Sequence, residues 1–282
     1  MNDLLQMGVL SAVAMACGLI GPLLVLRRMT MLVNSLSHTI LLGIVLAFLL
    51  TGSGFFQLET LLLGALIASL VTALSTGGLV RYFRLQEDAS ISLVFTAFFA
   101  FGIVLVTLFT RNVHLGIEAV MGNVDLLGIS DVSLSLGLVG LNLVSVLLFY
   151  KQFQLTSFDG SFAKTLGVSC SVFQFFLLTL TSITCVGAFR AVGVILVLAF
   201  LVGPYLTARL FCHSLGWLLF WAPLIGVFSS CAGVGLARVL FDQCGLALST
   251  GGIVATLLGA IYISAKCLAS FNMAKCEKRL QS

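Results

Sequence analysis

Nine stretches of about twenty mainly apolar residues run through this sequence, separated by short polar intervals. They lie near residues 4–26, 31–50, 58–80, 90–110, 132–150, 170–189, 192–211, 215–240 and 247–269. A helix rises about 1.5 Å per residue, so about twenty apolar residues reach across a hydrocarbon layer of about 30 Å. Inside that layer a backbone must satisfy its own polar groups, and a helix does so without a partner. The pattern therefore predicts an all-α, polytopic helical membrane protein with about nine transmembrane helices, and eight to ten are accommodated by 282 residues. Composition agrees. Charged residues make up 9% of the chain, against about 25% in soluble domains. Residues 1–282 are expected to form a single membrane domain, with no room for a separate soluble catalytic domain.

The basic residues set an orientation. Arg27, Arg28, Arg81, Arg84, Lys151, Lys164, Arg209, Lys266, Lys275, Lys278 and Arg279 fall in one alternating set of intervals, and only Arg111, Arg190 and Arg238 in the other. Positive loops stay in the cytoplasm, so nine spans put the N-terminus outside and the C-terminus inside. Asp3, rather than a basic run, opens the chain, so the first stretch is expected to be kept as a helix. The least certain boundary is at Phe189-Arg190-Ala191, where one charge interrupts an apolar run flanked by Gly187 and Gly193; a broken or re-entrant helix is expected there. The 8 Cys are scattered with no Cys-x-x-Cys pair, which fits small buried apolar side chains.

Enzyme signatures are absent: the chain has no Gly-x-x-x-x-Gly-Lys-Ser/Thr, His-Glu-x-x-His, Gly-x-Ser-x-Gly or Gly-x-Gly-x-x-Gly. If ATP drives this protein, another chain must bind it. His38 is the ionisable side chain deepest in an apolar run, and Asn34 precedes it by one helical turn on the same face. A polar residue at that depth marks a functional site by default, and imidazole suits zinc, iron and copper. A histidine hydrogen-bonded between helices is an equally open reading. His114 and Glu118 share the one-turn spacing in an outer interval that also holds Asp125 and Asp131 against Arg111, so the loop attracts cations or is simply solvated. Neither pair has the ligand count of a closed metal site, and a conduction path needs such incomplete coordination to release its ion.

Residues 158–168 form the longest polar interval between cytoplasmic ends of helices. Asp159 is placed to cap a short helix over Ala163 and Lys164 that Gly167 ends. Such a helix suits docking on a motor protein, and a plain turn is the alternative.

With these residues in view, the sequence resembles the permease family of zinc, manganese and iron ABC importers. Leu26-Arg27-Arg28-Met29 leading to Leu36-Ser37-His38 and Gly43 is similar to that family's Leu-Arg-Arg-Met and Gly-Asp-Ala-Leu-Ser-His-Ala. Glu87-Asp88-Ala89, Met121-Gly122-Asn123-Val124, Phe158-Asp159 with Ala163 and Leu166-Gly167, and Val192-Gly193-Val194-Ile195-Leu196-Val197 with Pro204 and Thr207-Ala208-Arg209 resemble its further blocks, in order. The resemblance implies a multi-pass permease of the bacterial cytoplasmic (inner) membrane, paired as a homodimer or heterodimer. It implies a cytoplasmic ABC ATPase that binds ATP, an extracytoplasmic metal-binding protein, and the lipid bilayer as partners, with no nucleic acid. No cofactor would be bound by this chain; a divalent metal ion (zinc, manganese or iron) would be its cargo. His38 then matches the family's histidine in the metal path. Asn34 stands where the family usually has aspartate, a lost charge that weakens metal binding, shifts ion preference, or calls for a second permease that keeps the acid. By the same resemblance, residues 155–168 are the segment coupled to the ATPase. The rival is an ion-gradient-driven secondary transporter with His38 as proton relay, which lacks the intramembrane carboxylates such relays use.

Overall fold

The computed structural model describes residues 2–51, 58–109, 127–212, 214–244 and 249–280, and among these the only regular elements are helices. In chain order they are α1 (Asn2–Leu26), α2 (Thr30–Thr51), α3 (Leu58–Phe83), α4 (Glu87–Phe109), α5 (Ile129–Leu148), α6 (Tyr150–Phe158), α7 (Gly160–Thr165), α8 (Cys170–Val192), α9 (Val194–Arg209), α10 (Leu215–Cys244) and α11 (Thr250–Leu280). Eight of them are long and apolar enough to cross a membrane; α9 is apolar but has 16 residues. The all-helical membrane class expected from the apolar runs is the one observed, with α9 as the ninth, shorter member. Leu147, Leu148 and Phe228 are each 68% exposed. Leaving such a side chain in water rather than burying it costs about 1.5–3 kcal/mol, so these helices are built for lipid.

The break expected in the region flanked by Gly187 and Gly193 is present, and it falls at Gly193 rather than at Arg190 itself. Arg190 is inside the last turn of α8, where a cation suits the helix C-terminus. The helix instead stops at Gly193, with φ 85° and ψ 163°, whose N–H donates to the Phe189 carbonyl. Only glycine adopts that backbone without strain of about 1–3 kcal/mol. A charge at a helix end does not interrupt the backbone; a residue without Cβ does.

Contacts gather the chain into two compact units. One comprises residues 1–22, 124–139 and 195–282, and the other residues 23–123 and 140–194. In the first, α1 lies against α10, since a Cβ at Gly18 would come within 2.8 Å of Pro223 Cα. α10 packs on α11 in the same way at Gly233 and Val254. In the second, α2 crosses α3 backbone to backbone: a Cβ on Gly43 would sit 2.3 Å from the Gly64 carbonyl oxygen. Such approaches replace the hydrophobic drive that lipid does not supply. Hydroxyls add to them. Ser90 Oγ donates to the Thr76 carbonyl (2.9 Å), tying α4 to α3, and Thr184 Oγ1 donates to Asn142 Oδ1 (3.1 Å), tying α8 to α5.

α1 ends on a non-glycine residue. Arg28 has φ 60°, its N–H donates to Val25 O (3.0 Å), and Met29 N–H donates to Leu24 O (3.0 Å). That is the paired bond pattern of a Schellman end, closed by the fully buried Met29 side chain.

Candidate functional site

α2 carries the first group. Its turn from Asn34 to His38 leaves both of these side chains exposed, while Ser35, Leu36 and Ser37 between them are buried. Ser37 Oγ donates to the Asn34 carbonyl (2.7 Å) and Thr39 Oγ1 to the Leu36 carbonyl (3.2 Å), so these hydroxyls are spent on the helix itself. Asn34 and His38 keep their polar ends free, making no side-chain hydrogen bond to another described residue. The reading of His38 as a histidine hydrogen-bonded between helices therefore finds no partner among the described residues.

What His38 does touch is aromatic. Phe95 and Phe99, one turn apart on α4, stand with ring centroids 5.4 and 5.2 Å from the imidazole and stack on each other at 5.7 Å. These distances fall in the range of favourable ring pairs. The two rings pack against the imidazole, which stays exposed on the same helix face as Asn34. An amide oxygen and an imidazole nitrogen on one exposed face can offer a passing cation two neutral ligands. Among the described residues no three His, Cys, Asp or Glu side chains group as metal ligands, so nothing there resembles a closed site. His114 and Glu118 lie outside the described residues.

The second group is on α6 and α7. Asp159 is extended (φ −143°, ψ 93°) and its Oδ1 accepts from the N–H groups of Ser161 and Phe162, each at 3.0 Å. At the other end Gly167 (φ 78°) donates from its N–H to Lys164 O (3.1 Å), and Val168 N–H to Ala163 O (2.9 Å). Ala163 is fully buried and faces the protein, whereas Lys164 is exposed. Phe158, Phe162 and Leu166 are 61%, 52% and 56% exposed, a concentration of large apolar side chains on a polar segment. Behind them Phe149 and Phe153 pack their rings on Phe173 and Phe176 of α8, which anchors the segment to a membrane-spanning helix.

Sequence reasoning missed Phe95 and Phe99, and it gave Phe162 and Arg27 no contact of their own. Phenylalanines four apart in an apolar run look like ordinary packing, and Arg27 looked like one more positive loop residue. Its Nε donates to Ser157 Oγ at 3.2 Å and its Nη2 to Thr156 Oγ1, which no spacing in sequence announces.

The sequence profile of the ABC 3 transport family matches residues 1–269. A probable metal transport system membrane protein of Chlamydia muridarum is 36% identical over 262 residues, covering 93% of this chain and 83% of its own. The manganese transport system membrane protein MntD of Bacillus subtilis is 36% identical over 269 residues, covering 90% and 87%. A solved structure, PsaBC from Streptococcus pneumoniae in complex with Fab, aligns with TM-score 0.74 over 92% of this chain and 89% of that one at 23% identity, a likeness of fold.

Proposed function

The chain belongs to the ABC 3 transport family, and from that premise we propose that it forms the path of a divalent transition metal ion through the bacterial cytoplasmic membrane, with Asn34 and His38 as the ligands the ion meets. As a permease subunit it is not itself an enzyme; ATP hydrolysis lies in a separate subunit. The observation that carries the reading is the exposed Asn34 and His38 pair, one turn apart in an apolar span and without a side-chain hydrogen bond to any described residue. Exposing two unpaired polar ends to hydrocarbon is costly, so this face belongs on a wet path. Two neutral ligands bind weakly enough to let the ion leave. The segment Asp159 to Gly167 is the docking site for the cytoplasmic ATPase, supported by its fixed caps and by the exposed Phe158, Phe162 and Leu166. An extracytoplasmic binding protein delivers the ion, and a second permease subunit faces the first. An ion-gradient drive has no comparable support.

The test is uptake of radioactive zinc, manganese and iron into vesicles holding the permease, its ATPase and its binding protein. His38→Ala should lower uptake at least about tenfold, the effect of one lost interaction of about 1.4 kcal/mol, while the complex still assembles. Full uptake in His38→Ala would show that the imidazole is only packing. The ion whose uptake falls is the cargo.

A further inference from the structure

Arg27 follows the last residue of α1 and reaches the end of α6. The two hydroxyls that accept from its guanidinium, on Thr156 and Ser157, are in the last turn of α6. Asp159, which caps α7, follows two residues after Ser157. Thr156 Oγ1 also donates to Gln152 O at 2.8 Å, so the hydroxyl is fixed to its own helix. Burial lowers the Arg27 pKa from its ordinary value, a sign that water has been replaced by fixed partners.

The same residue leads into α2. Arg28 and Met29 close α1, Leu32 N–H donates to Met29 O (3.2 Å), and α2 begins at Thr30. α2 carries Asn34 and His38, and α4 carries Phe95 and Phe99. One guanidinium therefore joins the end of α6 to the turn that leads into α2, and α2 in turn packs His38 against Phe95 and Phe99 of α4. Arginine suits the task because its planar fork addresses two adjacent acceptors at once, while an ammonium is a point charge.

We propose that Arg27 is a positioning residue that ties the docking segment α7 to α2 and, through α2, to α4, so that displacement of α7 moves the helices holding Asn34, His38, Phe95 and Phe99. The inference rests on the reading that α7 docks on the ATPase. It adds the mechanical link between that dock and the metal path, made of one side chain and two hydroxyls.

The experiment uses the complete complex in vesicles and reads three quantities: ATP hydrolysed, metal taken up, and cross-linking of Lys164→Cys to the ATPase. Arg27→Ala should lower the metal moved per ATP by about tenfold or more, on the scale of losing charge-assisted hydrogen bonds at a part-buried site. Hydrolysis and cross-linking should persist. Thr156→Val with Ser157→Ala, which leaves the charge in place, should reproduce the defect, and adding Arg27→Ala to it should cost little more. Arg27→Lys should recover part of the ratio, as a purely space-filling role would not require. If Arg27→Ala prevents assembly, the hydroxyl pair decides. An unchanged ratio in that pair with the cross-link intact overturns the link while leaving the dock standing. Failure of the unaltered chain to cross-link overturns the dock, and the link falls with it.

Discussion

At the scale of the residue, the chemistry of this protein is a question of which polar atoms are left without internal partners. Several serines and threonines of the spans bond back to their own helices, as Ser37, Thr72, Thr76 and Thr181 do, and Ser90 and Thr184 bond to a neighbouring helix. Asn34 and His38 make no such bond to a described residue and are exposed, which under the proposed function places them on the path. Sequence placed both residues on one helix face, since four residues make nearly one turn. Their exposure, and the rings of Phe95 and Phe99 beside the imidazole, depend on where α4 lies and could not be read from a run of apolar letters. Under the proposed function, the amide at position 34 sets the charge that the ion meets. Asn34→Asp adds a full negative charge beside the imidazole, and a pair of unit charges about 4 Å apart is worth about 4 kcal/mol at an effective dielectric of about 20. Metal should bind more tightly and leave more slowly. Equilibrium binding of the metal to the purified complex should rise at least about tenfold in affinity, while turnover at saturating metal falls. Equal affinity in the two forms would mean that residue 34 does not face the ion.

At the scale of the element, close approach decides which helices pair. Gly43 of α2 and Gly64 of α3 face each other so nearly that a Cβ on either meets the other's carbonyl oxygen, at 2.3 Å from Gly43 and 2.5 Å from Gly64. Gly43→Leu should push the two helices apart. Overpacking of this kind costs about 1–3 kcal/mol or more, and in detergent it should appear as a lower unfolding temperature of the purified chain. Gly78→Ala, where the added Cβ meets no atom within 4 Å, should leave that temperature nearly unchanged and serves as the control. If Gly43→Leu melts with Gly78→Ala, the α2 and α3 crossing is looser than the structure has it. These positions were visible in sequence only as small residues among many. The helices themselves were legible, because each apolar run is long, uninterrupted and of one character. The break after α8 was legible as a region but centred on Arg190, because a charge is conspicuous in a sequence whereas the conformation of Gly193 is not.

At the scale of the whole molecule, orientation rests on charge and on the short α9. Sixteen residues rise about 24 Å, less than the roughly 30 Å of hydrocarbon, so α9 crosses only if its ends lie at a thinned interface. With nine crossings Asp242, at the end of α10, is outside and Lys164 is inside. In a form lacking the 8 native cysteines, a membrane-impermeant thiol reagent on whole cells should label Asp242→Cys and spare Lys164→Cys. Protection at Asp242 would mean that α9 does not cross. Sequence by itself determined that the chain lives in lipid, that it is helical, and roughly where each helix runs, because membrane depth imposes a local rule on every twenty residues. It also marked Asn34 and His38, since polarity in such a run is conspicuous. Tertiary structure decided which polar atoms stay unpaired, which rings flank the imidazole, and that Arg27 reaches Thr156 and Ser157, about 130 residues further along the chain. Those are outcomes of helix packing among small residues, where the energy lies in contacts between distant segments and no local pattern encodes the partner.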